Sequence, residues 1–218
     1  MFLAISDYSG MIPAFGEGLI KTLSIFFLTL IISLPLGLGV SMCRMSKNFF
    51  VRNITKIYIS IMRGTPLMLQ LLFVYFGPFY IIGISYDRFV ATIIAFGLNY
   101  AAYFAEIYRS GIQSMSVGQY EAASVLGYSK SQTFLRIIFP QVIKNILPSM
   151  ANEVITLVKD TSLAQVLAVD EMFKAAKSFA TATSSVVPFF VAGLFYYIMN
   201  YAVAFLFDYI EKKLNYYK

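Results

Sequence analysis

Glu153 and Asp160 stand seven residues apart in the run Asn152-Glu153-Val154-Ile155-Thr156-Leu157-Val158-Lys159-Asp160. Seven residues is close to two helical turns, so the two carboxylates fall on one face with Thr156 between them. A fixed cation, Arg63, opens the segment Arg63-Gly64-Thr65-Pro66-Leu67, and the amide of Gln70 follows it. Acids on one helix and a guanidinium on another suit a zwitterion that carries an extra positive charge. The acids take ammonium or guanidinium groups, and Arg63 takes a carboxylate. The competing use of the same charges is permanent ion pairing of Glu153 and Asp160 with Arg63 and Lys159. Asn99, Tyr103 and Glu106 add a stripe at i, i+4 and i+7, which serves either a polar passage or interhelical hydrogen bonds. Covalent chemistry has no candidate. The chain has no histidine and one cysteine, Cys43, and no hydroxyl nucleophile has a recognisable base beside it. Neither an enzyme active site, a disulfide nor a metal centre is therefore expected.

These polar residues are embedded in apolar sequence. Of 218 residues, 59% are hydrophobic and 13% charged, with a mean hydropathy of +0.71. A soluble domain of this length needs far more polar surface to cover its core. Five stretches, roughly 18–42, 57–83, 89–112, 147–169 and 188–210, each reach the about 20 residues that cross about 30 Å of hydrocarbon. The expected fold class is an all-α integral membrane protein with five transmembrane helices, forming one domain over residues 1–218, with 113–146 as its longest loop. On that frame Arg63 lies about 9 Å into the second span, and Glu153 and Asp160 about 9 and 20 Å into the fourth. Charges at such depth are directed to the bundle interior. Pro66 releases the Met62 carbonyl from its helix bond and bends the second span, with Thr65 placed to cap the break.

Orientation follows from lysine and arginine, which accumulate on the cytoplasmic side. Arg44, Lys47, Arg52 and Lys56 follow the first span, Lys130, Arg136 and Lys144 the third, and Lys212, Lys213 and Lys218 the last. The other side carries Lys21, Arg88, Lys174 and Lys177 among Asp7, Glu17, Asp87, Asp170 and Glu171. The amino terminus is expected outside and the carboxyl terminus in the cytoplasm. The net charge of +6 is spread over short separate loops, a poor match to nucleic acid. Residues 1–16 lack a basic cluster and read as a short amphipathic segment on the outer interface. No glycine-rich phosphate loop is present, so any ATP must bind a partner.

Between the third and fourth spans stand Glu121, Ala122, Ala123, Gly127, Ile137, Phe139 and Pro140. Ser114 or Ser116 can cap a helix through Glu121 that ends at Gly127, and a second helix is expected from Ser129 or Ser131 to Pro140. The spacing resembles the loop signature of the permease subunits of binding-protein-dependent importers, with Phe139 where leucine is usual. The run Arg63-Gly64-Thr65-Pro66-Leu67 with Gln70 and Tyr75-Phe76 is similar to their polar amino acid branch, the histidine, arginine and glutamine permeases. The resemblance implies a type I ABC importer permease fold in a prokaryotic cytoplasmic membrane. It implies that Glu121, Ala122, Ala123 and Gly127 form a coupling helix for an ATPase. The implied partners are two ATP-binding subunits carrying ATP and magnesium, a second permease copy or close paralogue, and an extracytoplasmic amino acid-binding protein. No cofactor is expected in this chain. With the charges above, the cargo is expected to be a cationic amino acid such as arginine, lysine or histidine, contacted by Arg63, Thr65, Gln70, Asn99, Glu153, Thr156 and Asp160. The alternative is an autonomous amino acid channel or ion-coupled carrier, in which the buried acids would bind a coupling ion.

Overall fold

The structure, a computed structural model, describes residues 10–214, and every regular element in that range is helical. The first helix, α1 (Met11–Arg44), has 34 residues and so extends for about 51 Å, well beyond the hydrocarbon thickness. It absorbs the part of the expected surface segment from Met11 onward; the remainder of that segment, with Asp7, and the tail residue Lys218 lie outside the described residues. The helices α2 (Phe49–Gly64) and α3 (Leu67–Ile82) follow, bent by 112° at the junction. The second expected span is thus two helices, and it begins at Phe49 rather than near 57. Next come α4 (Arg88–Gln113), α5 (Val117–Val125) and the single turn α6 (Lys130–Gln132). A widened π stretch (Thr133–Ile138) leads from α6 into α7 (Phe139–Asp160), which tightens into a 3₁₀ run (Thr161–Leu167). The chain ends with α8 (Met172–Thr183) and α9 (Val187–Leu214).

Among the described residues, α1, α4 and α9 are each long and apolar enough to cross a membrane, and the bent pair α2–α3 qualifies as a fourth crossing. The fourth expected span, 147–169, falls on the last part of α7 and the 3₁₀ run instead. Its own charges, Glu153, Lys159 and Asp160, keep it from standing as an apolar rod facing lipid.

The core is organised around α4. Phe96, Tyr100 and Phe104 sit one above another on it and are almost wholly buried. The long helix α1 lies against the same helix through small residues: Thr29, Ser33, Gly37 and Ser41 are all buried on it, and α4 is rich in buried alanine, among them Ala101, Ala102 and Ala105. A Cβ at Gly37 would come within 2.9 Å of Phe104 Cβ and 3.1 Å of the Ala101 carbonyl oxygen. Backbones that close are available only to residues without bulk, the usual way helices associate where lipid removes the hydrophobic drive.

At the start of α8, Glu171 is fully buried, although its sequence places it among the loop charges. Its carboxylate caps α8 by accepting from the backbone N–H groups of Phe173 at 2.6 Å and Lys174 at 2.7 Å, and it accepts from the Tyr196 hydroxyl of α9 at 3.0 Å. Burial pushes this carboxyl up, against the pull of those same hydrogen bonds. The adjacent Met172 N–H donates to Thr22 Oγ1 at 3.2 Å, so α1, α8 and α9 meet around one cap.

Candidate functional site

The break between α2 and α3 follows from one missing donor. Thr65 and Pro66 are both extended, and proline has no N–H to offer the Met62 carbonyl. Two side chains supply it: Asn99 Nδ2 donates to Met62 O at 2.9 Å and Gln70 Nε2 at 3.0 Å. Gln70 Nε2 also approaches Thr65 O at 3.1 Å and Thr65 Oγ1 at 2.8 Å, while its Oε1 accepts from Asn99 Nδ2 at 2.9 Å. The Thr65 hydroxyl donates back to Ile61 O at 2.8 Å. Irregular backbone at membrane depth persists only where it is re-satisfied in this way. Three expected site residues, Thr65, Gln70 and Asn99, are thereby brought together, with their polar atoms turned on the break.

Arg63 stands in the last turn of α2, immediately before the break. Its guanidinium lies 5.2 Å from the Tyr103 ring centroid, within cation–π range, and its Nη1 is 3.9 Å from Glu106 Oε2. The stronger partner of Glu106 is Arg109, one turn on, whose Nη2 and Nε donate to the two carboxylate oxygens at 2.6 and 3.0 Å. Glu106 is therefore held bidentately from its own helix, and Arg63, with 44% of its side chain exposed, is held loosely.

These groups open on a concavity. One part, about 280 Å³, is lined by Arg63, Tyr103, Glu106, Arg109 and Glu153. An adjoining part, about 510 Å³, shares Arg63, Tyr103 and Glu106 and adds Arg44 and Lys56. Glu153 thus faces the same space as Arg63, and the ion pairs described for the cavity run through Glu106 and leave Glu153 out. Asp160 does not line either part. It ends α7 and accepts from the buried Tyr100 hydroxyl at 2.7 Å, while the Thr156 hydroxyl donates to Asn152 O of its own helix at 2.9 Å. The seven-residue spacing keeps both acids on one side of α7 but at different depths, and Arg63 pairs with Glu106 rather than with either of them. Arg109 escaped the sequence reading. Its signal was the i, i+3 spacing to Glu106, which places an acid and a base on adjacent turns of one helix.

The second candidate region is the loop after α4. The helix α5 ends in a Schellman arrangement: Tyr128 N–H donates to Ala123 O and Gly127 N–H to Ser124 O, both at 3.0 Å, with Gly127 at φ 78. Ala123 is buried against its own chain while Glu121 and Ala122 are exposed. Around them Val117, Tyr120, Val125 and Leu126 are exposed as well, Val125 to 87%, an apolar surface on a nine-residue helix. Ser129 starts the next helix with a capping box to Gln132. That helix does not stop at Pro140, as its sequence suggested, but runs on through α7. The intervening π stretch ends just before Phe139, so Pro140 falls in the first turn of α7, where a proline's missing N–H is tolerated.

Residues 33–216 match the family described as binding-protein-dependent transport system inner membrane component. The chain is 38% identical over 213 residues to the arginine transport system permease protein ArtQ of Bacillus subtilis (strain 168), covering 96% of this chain and 97% of that protein. It is 37% identical over 215 residues to a putative glutamine transport system permease protein, GlnP, of Rickettsia bellii (strain RML369-C), covering 98% and 99%. Among solved structures, an amino acid ABC transporter crystallised with histidines superposes with a TM-score of 0.87 at 32% identity, over 98% of this chain and 100% of that one. The MetNI methionine transporter in an inward-facing form shares the fold at a TM-score of 0.75 and 16% identity, over 97% and 99% of the two chains.

Proposed function

Because the chain belongs to the family of binding-protein-dependent transport system inner membrane components, we propose that it is the transmembrane subunit of an ATP-driven importer and that its cargo is a cationic amino acid such as arginine, lysine or histidine. The observation that carries this reading is the shared cavity of Arg63 and Glu153. A loosely held guanidinium takes the cargo's α-carboxylate, and a carboxylate outside the Arg63, Glu106 and Arg109 cluster takes an ammonium or a cationic side chain. Thr65, Gln70 and Asn99 hold the break that presents Arg63. Thr156 and Asp160 continue the acidic side of α7 beyond Glu153. Relatives named for arginine and for glutamine are both polar amino acid systems, and the acid in the cavity favours the cationic choice.

In the assembled transporter two such subunits pair through their membrane helices, and each docks an ATP-binding subunit on α5, with Glu121, Ala122 and the apolar residues beside them as the contact. ATP and magnesium reside on those partners. An extracytoplasmic binding protein delivers the amino acid. Closure of the ATPases on ATP draws the two α5 helices together and rocks the spans between inward-open and outward-open states. The amino terminus faces outward and the carboxyl terminus the cytoplasm of a prokaryotic cell.

Thermal stabilisation of the purified permease with its ATPase, measured with arginine, lysine, histidine, glutamine and glutamate, tests the cargo. Stabilisation confined to the cationic set and lost in Glu153→Gln is expected. Stabilisation by glutamine equal to that by arginine, or survival of the arginine effect in Glu153→Gln, overturns the cationic reading.

A further inference from the structure

We propose that the groove between the cytoplasmic end of α1 and the segment running from α6 into α7 is a binding site for an anionic phospholipid of the inner leaflet. The groove encloses about 440 Å³ and is lined by Leu38 and Met42 of α1, by Phe134, Leu135 and Phe139, and by Lys130. Its two walls run in opposite directions. In the orientation proposed above, α1 runs toward the cytoplasm from Leu38 to Met42, and the other wall returns from the cytoplasmic loop between Lys130 and Phe139. Leu38 and Phe139 therefore mark the deep end, and Lys130 stands at the shallow end.

Apolar along its length and cationic at its mouth, the groove has the polarity of a phospholipid lying against the protein. An acyl chain follows the aromatic and aliphatic wall while the phosphate meets the Lys130 ammonium. Met42 and Leu135 are 48% and 63% exposed, apolar surface placed where α1 leaves the hydrocarbon. The sign of the headgroup follows from the single basic group at the mouth: a zwitterionic headgroup brings its own cation, which Lys130 repels, and an anionic one does not. Only Tyr128 and Ser129 separate Lys130 from Gly127, the residue that closes α5. Filling the groove therefore steadies the base of the loop that carries α5. The inference rests on the orientation proposed above and is independent of the cargo.

The chain contains no tryptophan, so Met42→Trp gives a single fluorophore in the groove. The full-length variant is reconstituted into phosphatidylcholine vesicles containing a small, equal mole fraction of either dibrominated phosphatidylglycerol or dibrominated phosphatidylcholine, and quenching is compared. The phosphatidylglycerol probe is expected to show about fivefold stronger association, what one lysine contributes near an anionic surface. The preference should vanish with Lys130→Glu, persist with Lys130→Arg, and be absent for a reporter at Phe205→Trp, an exposed position on α9. Equal quenching by the two lipids at Met42→Trp, or a preference unchanged by Lys130→Glu, overturns the proposal. The readout is lipid contact alone, so failure of the transport reading leaves it unaffected, and an inverted orientation is detected separately by labelling of Cys43.

Discussion

Asn99 is 4% exposed and spends both hydrogens of its amide, one on the Met62 carbonyl and one on Gln70. Asn99→Ala leaves two partly buried acceptors with one donor fewer, a loss of about 1–3 kcal/mol, and should lower the thermal midpoint of the purified chain and with it uptake. Unchanged stability would mean that Gln70 holds the break alone. The release of the Met62 carbonyl was legible in the sequence, because a proline's missing N–H is a local fact. Its donor was not, since nothing local links Met62 to an asparagine 37 residues later. The same limit explains Asp160. Its face on the helix followed from periodicity, but its partner Tyr100 lies 60 residues away, and only packing decides that it faces a tyrosine rather than the cavity. Glu171 was misplaced for a related reason: a carboxylate in a loop reads as solvated until a helix start and a neighbouring tyrosine turn out to satisfy it.

At the level of elements, α5 depends on Gly127, whose φ of 78 costs a residue with a Cβ about 1–2 kcal/mol. Gly127→Ala should fray the end of α5, speeding hydrogen exchange at Leu126, Gly127 and Tyr128, and should weaken the coupling of ATP hydrolysis to uptake in the assembled transporter. Exchange unchanged at those amides would show that the turn tolerates alanine. The stop of this helix was readable from glycine and its position between two apolar stretches from composition, whereas Ser116 stands at its start without making the side-chain capping bond expected of it. The continuation through Pro140 was not, because a proline can end one helix or stand in the first turn of the next. Likewise the apolar stretches were legible in composition, but length alone could not show that one is bent by 112° and another divided between an α-helix and a tighter 3₁₀ run, which leaves, among the described residues, three single helices and one bent pair long and apolar enough to cross a membrane.

For the molecule as a whole, orientation is the first quantity to fix, and the sequence provides its own probe in the lone Cys43, exposed near the carboxyl-terminal end of α1, the end proposed to face the cytoplasm. A membrane-impermeant maleimide should label it in inside-out vesicles and leave it untouched in intact cells; the reverse pattern would invert every assignment of side made above. The close approach of α1 and α4 makes a second demand. Gly37→Leu places a branched side chain where even a Cβ meets Phe104 at 2.9 Å, and it should abolish recovery of folded protein, as judged by a monodisperse peak in detergent. The stripe of small residues behind that contact, Thr29, Ser33, Gly37 and Ser41, was present in the sequence at spacings of four, yet its meaning required knowing which helix it would face. The clamp on Met62 has a last consequence, which concerns the order of synthesis. The chain leaves the ribosome amino end first, so α2 and α3 reach the membrane before α4, which carries Asn99, has been inserted. Until then Gln70 is the carbonyl's only side-chain donor of the two, and the bend, together with the placement of Arg63, becomes permanent only when α4 inserts beside it.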